Sequence, residues 1–160
     1  MLIANIDPMG EIAASLLRDA AAEVRPLYAQ VPGEAPPPTN DALRERDLYV
    51  AAFLADSPVG CGALREFDRT TAEVRRMYVR PDHRRNHVGQ AILAHLIARA
   101  REFGYERLIL ETGNKQASAI AFYEHYGFKR ISPFGQHVAD NTSICYELHI
   151  DTPGPASPAV

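Results

Sequence analysis

The sequence predicts an α+β domain: a mixed β-sheet with helices on its faces. Three observations carry that prediction. Residues 48–79 hold three consecutive runs of strand-forming residues, which read as a meander. Residues 88–103 place Val88, Ile92, Leu96 and Ala100 at i+4 steps, with Leu93 and Ile97 widening the stripe, which reads as an amphipathic helix. Residues 107–131 then alternate strand, helix and strand, and a meander followed by such a unit makes a mixed sheet.

The elements follow in order. Leu2 to Ile6 is a short strand, and Met9 to about Val24 a helix with its apolar side at Ile12, Leu16, Leu17, Ala20, Ala21 and Val24. Pro26 and the run VPGEAPPPTN break that helix into a loop, a length often used as a functional lid. DALRERD reads as a short helical turn. LYVAAFLAD and VGCGALREF form a hairpin about Ser57-Pro58, and TAEVRRMYV is the third strand of the meander. After the long helix, Gly104 stands as its C′ residue. RLILET is a buried strand, ASAIAFYEHY a helix ended by Gly127, and FKRIS and SICYELHI the last strands. Residues 1–150 are expected to form one domain and 151–160 a frayed tail.

The totals narrow the function. At 160 residues and 46% apolar, the chain can bury a full core as one domain. It carries 20 acidic against 17 basic residues, a net charge of -3, which argues against a nucleic-acid partner. Cys61 and Cys145 lie in strands and read as buried thiols in a reducing compartment. The opening MLIANIDPMGEI carries Asp7 and Glu11 and lacks the basic-then-apolar layout of a leader. No run approaches the ~18 apolar residues of a membrane span. A soluble, cytoplasmic protein without a membrane partner is the expectation.

Against that acidic background, RPDHRRNHVG, residues 80–89, gathers three arginines and two histidines between a strand and a helix. A metal site is disfavoured: HRRNH lacks the glutamate of H-E-x-x-H, and no third ligand is near, so no metal is expected. A solvated basic loop and a phosphate pocket both remain. The second has a mechanism. The helix start presents unpaired N–H groups and partial positive charge, and the loop Arg84-Arg85-Asn86-His87-Val88-Gly89 can turn successive amides toward one anion. Gly89 allows close backbone approach, and Arg84 and Arg85 can add bidentate contacts.

The strand–loop–helix EVRRMYVRPDHRRNHVGQAILAHLI resembles the cofactor motif of the GNAT superfamily of acyl-CoA-dependent N-acyltransferases. That motif reads Arg/Gln-x-x-Gly-x-Gly/Ala after a strand ending hydrophobic-x-Val-x-Pro. MYVRP supplies the strand end, Arg84 the Arg/Gln position and Gly89 the second glycine. The alanine-rich AIAFYEHYGF, residues 119–128, is similar to a second GNAT element, in the right order and spacing. The likeness runs from about Val59 to Leu148. His87 replaces the first motif glycine; a negative φ on entering the helix is expected to keep its amide turned inward. Gln116 stands where the family often has asparagine.

The resemblance implies a central, mostly antiparallel sheet of six to seven strands with about four flanking helices, splayed near its centre. It implies acetyl-CoA as cofactor. The pyrophosphate would sit on the amides of Arg85, Asn86, His87, Val88, Gly89 and Gln90, and the pantetheine arm would run along Met77, Tyr78 and Val79, whose backbone could polarise the thioester. The reaction would be direct transfer to a primary amine of a small molecule or peptide. A lysine-like amine costs roughly 4.6 kcal/mol to neutralise at pH 7, so a general base matters. Glu73 fills the family's glutamate position, and simple alternation puts it on one strand face with Arg75, Met77 and Val79. Tyr123 fills the tyrosine position, a phenol able to protonate the departing thiolate. The acceptor would be walled by Tyr28, Arg75 and His137, a set suited to an acceptor bearing a carboxylate. A homodimer is compatible with the pattern. The alternative is a non-catalytic acyl-CoA-binding or regulatory module; His87 favours it, and Glu73 with Tyr123 opposes it.

Overall fold

The computed structural model describes residues 1–33 and 36–150. The expected tail, 151–160, lies outside the described residues, as do Glu34 and Ala35 in the proline-rich loop. Seven strands form one sheet: β1 (Leu2–Asn5), β2 (Leu48–Leu54), β3 (Ser57–Glu66), β4 (Thr71–Val79), β5 (Arg107–Gly113), β6 (Lys129–Ile131) and β7 (Ser143–His149). Their spatial order is β1-β2-β3-β4-β5-β7-β6. Every neighbouring pair is antiparallel except β4 and β5, which are parallel because a helix carries the chain back between them. The α-helices are α1 (Glu11–Val24), α2 (Val88–Glu102) and α3 (Ala117–His125). Among the described residues three α-helices stand where about four were expected, with short 3₁₀ turns at Arg25–Tyr28, Pro81–His83 and Gly135–His137.

Two local expectations are corrected. DALRERD forms no helix, only one turn closed by the Asp47 N–H on the Arg44 carbonyl, and the Asp47 side chain is a buried acceptor that ties the segment to the sheet. It takes hydrogen bonds from the backbone N–H of Arg44 and Glu66 and from the Arg65 guanidinium. The β2–β3 turn falls at Ala55-Asp56, with φ of 48° and 65°, as a two-residue type I′ hairpin requires. Ser57 and Pro58 lie in β3, where the proline's missing N–H coincides with a register shift opposite Ala52/Phe53.

The sheet has a separate core on each face. α2 buries Val88, Ile92, Leu93, Leu96 and Ala100 on one face, against Val50, Leu64, Val74, Leu108 and Leu110. α1 buries Ala13 and Leu16 on the other, against Tyr49, Ala51, Cys61 and Ala63. The close seat of α2 depends on glycine. A Cβ on Gly62 would lie 2.7 Å from Ile92 Cγ2 and 2.8 Å from Met77 Sδ.

Two irregularities of β4 create the site. Its pairing with β5 covers only Thr71–Glu73 against Arg107–Ile109, after which the strands part. Its register with β3 also shifts between Cys61 and Ala63, leaving Arg76 as an extra residue at φ 60°. An extra residue in one strand reverses the alternation beyond it. Ala72 and Val74 therefore join the α2 core together with Met77 and Val79. Among the described residues no helix is long and apolar enough to cross a membrane.

Candidate active site

The loop between β4 and α2 is shaped by left-handed backbone. Arg85 has φ 65° and His87, the N-cap of α2, has φ 61°. The expected negative φ at His87 is thus corrected: the position adopts the conformation that glycine tolerates best, and histidine is among the side chains that visit it. The backbone donors of the loop stay without protein acceptors all the same: among the described residues, none of the six N–H groups from Arg85 to Gln90 meets one. Such a run of unpaired donors at a helix start has the geometry of an anion cradle. Buried Val88 anchors it below, and His87 Nδ1 lies 3.0 Å from Gln90 Oε1 at its edge.

The arginines divide their duties differently from the expectation. Arg84 donates from Nε to the Val79 carbonyl at 2.9 Å and from NH2 to Glu23 at 2.7 Å. Arg80 pairs with Asp19 and donates to the Pro58 carbonyl. Asp19 and Glu23 are one helical turn apart on α1, so these two guanidinium groups pin α1 to the cradle and are not free for bidentate phosphate contacts. The Arg84 hydrogen bond, with its charge, holds the Glu23 carboxyl below its ordinary range despite partial burial. Arg85 lines the cradle, and among the described residues it has no ion-pair partner.

From the cradle a groove of about 890 Å³ runs between the end of β4, α1 and α3. Its lining includes Met77, Tyr78, Val79, Arg84, Arg85, His87, Val88, Gly89, Gln90 and Gln116. The structure thus gathers those residues, predicted from one strand, one loop and the start of a distant helix. Asn86 is outside the lining. A Cβ on Gly89 would sit 3.4 Å from Phe122 Cε2, an ordinary contact, so the protein's own packing does not demand glycine there. Tyr123 lines the groove from α3, only 7% exposed, between the rings of Phe122 and Phe128. Burial pushes its phenol well above the ordinary value, so it holds its proton at neutral pH.

Glu73 stands where β4 and β5 separate, paired with Ile109 at the last shared rung. The bulge at Arg76 corrects the expected face: Glu73 and Arg75 project away from the α2 core that takes Met77 and Val79. Burial raises the Glu73 carboxyl, with Arg75 and His137 opposing and Glu111 adding to the rise. Arg75 Nε and His137 Nε2 each lie 3.9 Å from Glu73 Oε1. The far side of the His137 ring meets a carboxylate the sequence reading missed, Glu111, at 4.0 Å from Nδ1. Ser143 donates to Glu111 at 3.0 Å. The signal for Glu111 was present: in RLILET it shares a strand face with Ile109, but only the pairing with β4 reveals that this puts it beside Glu73. Tyr28 sits apart from this cluster. Its hydroxyl accepts from the Lys115 N–H at 3.0 Å and lies over Gly113, closing the far end of β5.

A fold with strands parting at its centre and a cradle of amides at the next helix start narrows the field, and comparison with known proteins decides it. The profile of the Acetyltransferase (GNAT) family matches residues 15–128. The chain belongs to the GNAT acetyltransferase family. Acetyl-CoA is that family's cosubstrate, and the unpaired amides and the groove beneath them fit its diphosphate and arm. The chain is 31% identical over 152 residues to an IAA acetyltransferase of Azospirillum brasilense, covering 91% of this chain and 95% of that one. It is 38% identical over 98 residues to the uncharacterized N-acetyltransferase YsnE of Bacillus subtilis, covering 60% of this chain and 65% of that one. The chain therefore spans just under two thirds of the Bacillus relative. Among solved structures, a Klebsiella pneumoniae protein assigned to the acyl-CoA N-acyltransferases superposes with a TM-score of 0.76 at 28% identity, over 94% of this chain and 97% of that one. A GNAT acetyltransferase of Elizabethkingia anophelis with acetyl-CoA bound shares the fold at a TM-score of 0.66 and 19% identity, over 93% and 97% of the two chains.

Proposed function

We propose that this chain transfers the acetyl group of acetyl-CoA directly to a primary amine of a small molecule or peptide, with Glu73 as general base and Tyr123 as general acid. The observation that carries the reading is the fork between β4 and β5. It separates a groove on the Tyr123 side from a carboxylate on the opposite sheet face, with Glu73 at the apex. An acyl donor and an amine approaching from opposite faces would meet in that gap.

The Arg85–Gln90 amides bind the anionic diphosphate, and Met77–Val79 offer backbone for the arm. Acetyl-CoA supplies the acyl group as a thioester. Glu73, raised by burial, accepts a proton from the acceptor's ammonium group and so exposes the nitrogen lone pair. Tyr123, kept protonated by burial, donates to the departing sulfur. Arg75 beside Glu73 suits an acceptor that also carries a carboxylate. A non-catalytic acyl-CoA-binding module would keep the same amide cradle, and Glu73 with Tyr123 is what favours the catalytic reading over it.

The test is a screen of amino acids, polyamines, aminoglycosides and peptide N-termini with acetyl-CoA, following release of free CoA thiol. Acceptor-dependent release that falls in Glu73→Gln is expected. Calorimetry with no heat from acetyl-CoA would overturn the reading at its base.

A further inference from the structure

The segment between β6 and β7 brings a histidine to the Glu73 carboxylate. It folds through the 3₁₀ turn Gly135–His137 and is pinned by a ladder of aromatic rings. Phe67, at the end of the β3–β4 hairpin, meets Phe134 edge-on at 5.6 Å, and Phe134 meets the His137 ring at 5.3 Å. The ladder holds a largely buried imidazole in one orientation, with Nε2 toward Glu73 and Nδ1 toward Glu111, at 3.9 and 4.0 Å. A histidine kept only for packing has no need of a carboxylate on each nitrogen. Imidazole is the side chain that can take a proton on one nitrogen and release one from the other.

We propose that His137 is a positioning residue for Glu73 that carries the proton taken from the acceptor on to Glu111, and so out of the site. This rests on the reading of Glu73 as the base. The balance requires such an exit. In forming the amide, an ammonium acceptor loses two protons from nitrogen, while the C–S bond breaks and the sulfur gains one by way of Tyr123. One proton is left over per turnover. It breaks from nitrogen onto a Glu73 oxygen, passes from there to Nε2, and leaves from Nδ1 to Glu111. With an acceptor seated on Glu73, its own solvent path is covered, whereas Glu111 lies farther along the sheet, 26% exposed and held by Ser143. Each gap must close by about 1 Å for transfer, and such contacts commonly tighten when substrate binds. The charged and titratable groups around the ring are Glu73 and Arg75 on β4, Glu111 on β5, Cys145 on β7 and Asp140 on its own segment.

Carbon-13 NMR of the Glu73 and Glu111 carboxyl groups tests this without any acceptor. In the wild-type chain both resonances should respond to the charge of the imidazole that lies between the two carboxyl groups, the mark of sites that interact through a common partner. In His137→Gln, or His137→Asn if the first variant does not fold, the response to the imidazole should vanish from both curves, while the direct effect of Glu111 on Glu73 persists. Curves for Glu73 and Glu111 that are the same with and without His137 overturn the proposal. With an acceptor from the screen, His137→Ala should lose about 10²-fold in kcat at unchanged acetyl-CoA KM, and added imidazole should restore part of it. Loss of rate without any recovery also overturns it. Acetyl-CoA calorimetry on the same variants separates the two levels. Absent binding in the wild type sinks the acetyltransferase reading, whereas normal binding with uncoupled carboxyl groups sinks the relay alone.

Discussion

Replacing His87 with glycine tests the cradle where this chain departs from its family's pattern. The left-handed conformation at φ 61° costs an L-residue about 1–2 kcal/mol, and histidine falls toward the low end. Glycine removes that cost but gives back about 0.5–1 kcal/mol as extra freedom in the unfolded chain. The change also loses the exposed His87–Gln90 contact, worth about 0.5 kcal/mol at most at such a site. These contributions nearly cancel, so thermal unfolding should shift by no more than about 3 °C for a chain of this size. Affinity is where the variant should speak. The six unpaired amides from Arg85 to Gln90 remain, and the imbalance of removing a side chain beside them favours the ligand. Titration calorimetry with coenzyme A should give an unchanged or tighter Kd. A loss beyond about tenfold, or 1.4 kcal/mol, would show that the imidazole itself grips phosphate and that the amide cradle is not the main source of binding.

Three further variants carry expected outcomes. Tyr123→Phe should lower kcat by about 10²-fold with acetyl-CoA affinity intact, and a wild-type rate in a thiol-release assay would remove the phenol from its role. Glu73→Gln should abolish the acidic limb of kcat/KM, which in the wild type should lie above the usual carboxylate range because burial raises this group. The sign for stability follows from the same shift: the native state holds the proton more tightly than the unfolded chain. Glu73 therefore costs nothing below its unfolded pKa, and stability is lost as pH rises through its folded pKa. Melting curves of Glu73→Gln should accordingly match wild type near pH 4 and lie higher at pH 8. Gly62→Ala should destabilise by about 1–3 kcal/mol in urea unfolding, because the new methyl meets Ile92 and Met77 inside contact distance; an unchanged midpoint would mean that α2 shifts freely on the sheet.

The sequence alone determined the order of the elements, because hydrophobic period and the glycines at 104 and 127 report on neighbours along the chain. It also placed the stretch of Arg85 to Gln90 at the start of α2, and Tyr123 within α3, because each lies in one contiguous stretch. It did not determine which residues share a face across β4. One extra residue at Arg76 reverses the alternation, and nothing in TAEVRRMYV announces it; the bulge is fixed by pairing with β3. Arg84 shows the same limit. Its neighbours in sequence made it a phosphate ligand, but α1 brings Glu23 against it from 61 residues away. Glu111 and His137 were unreadable as partners of Glu73, since they come from three separate elements. Period and propensity are local properties of the chain, whereas face, partner and charge environment depend on which strands meet, and that is settled only when the core closes.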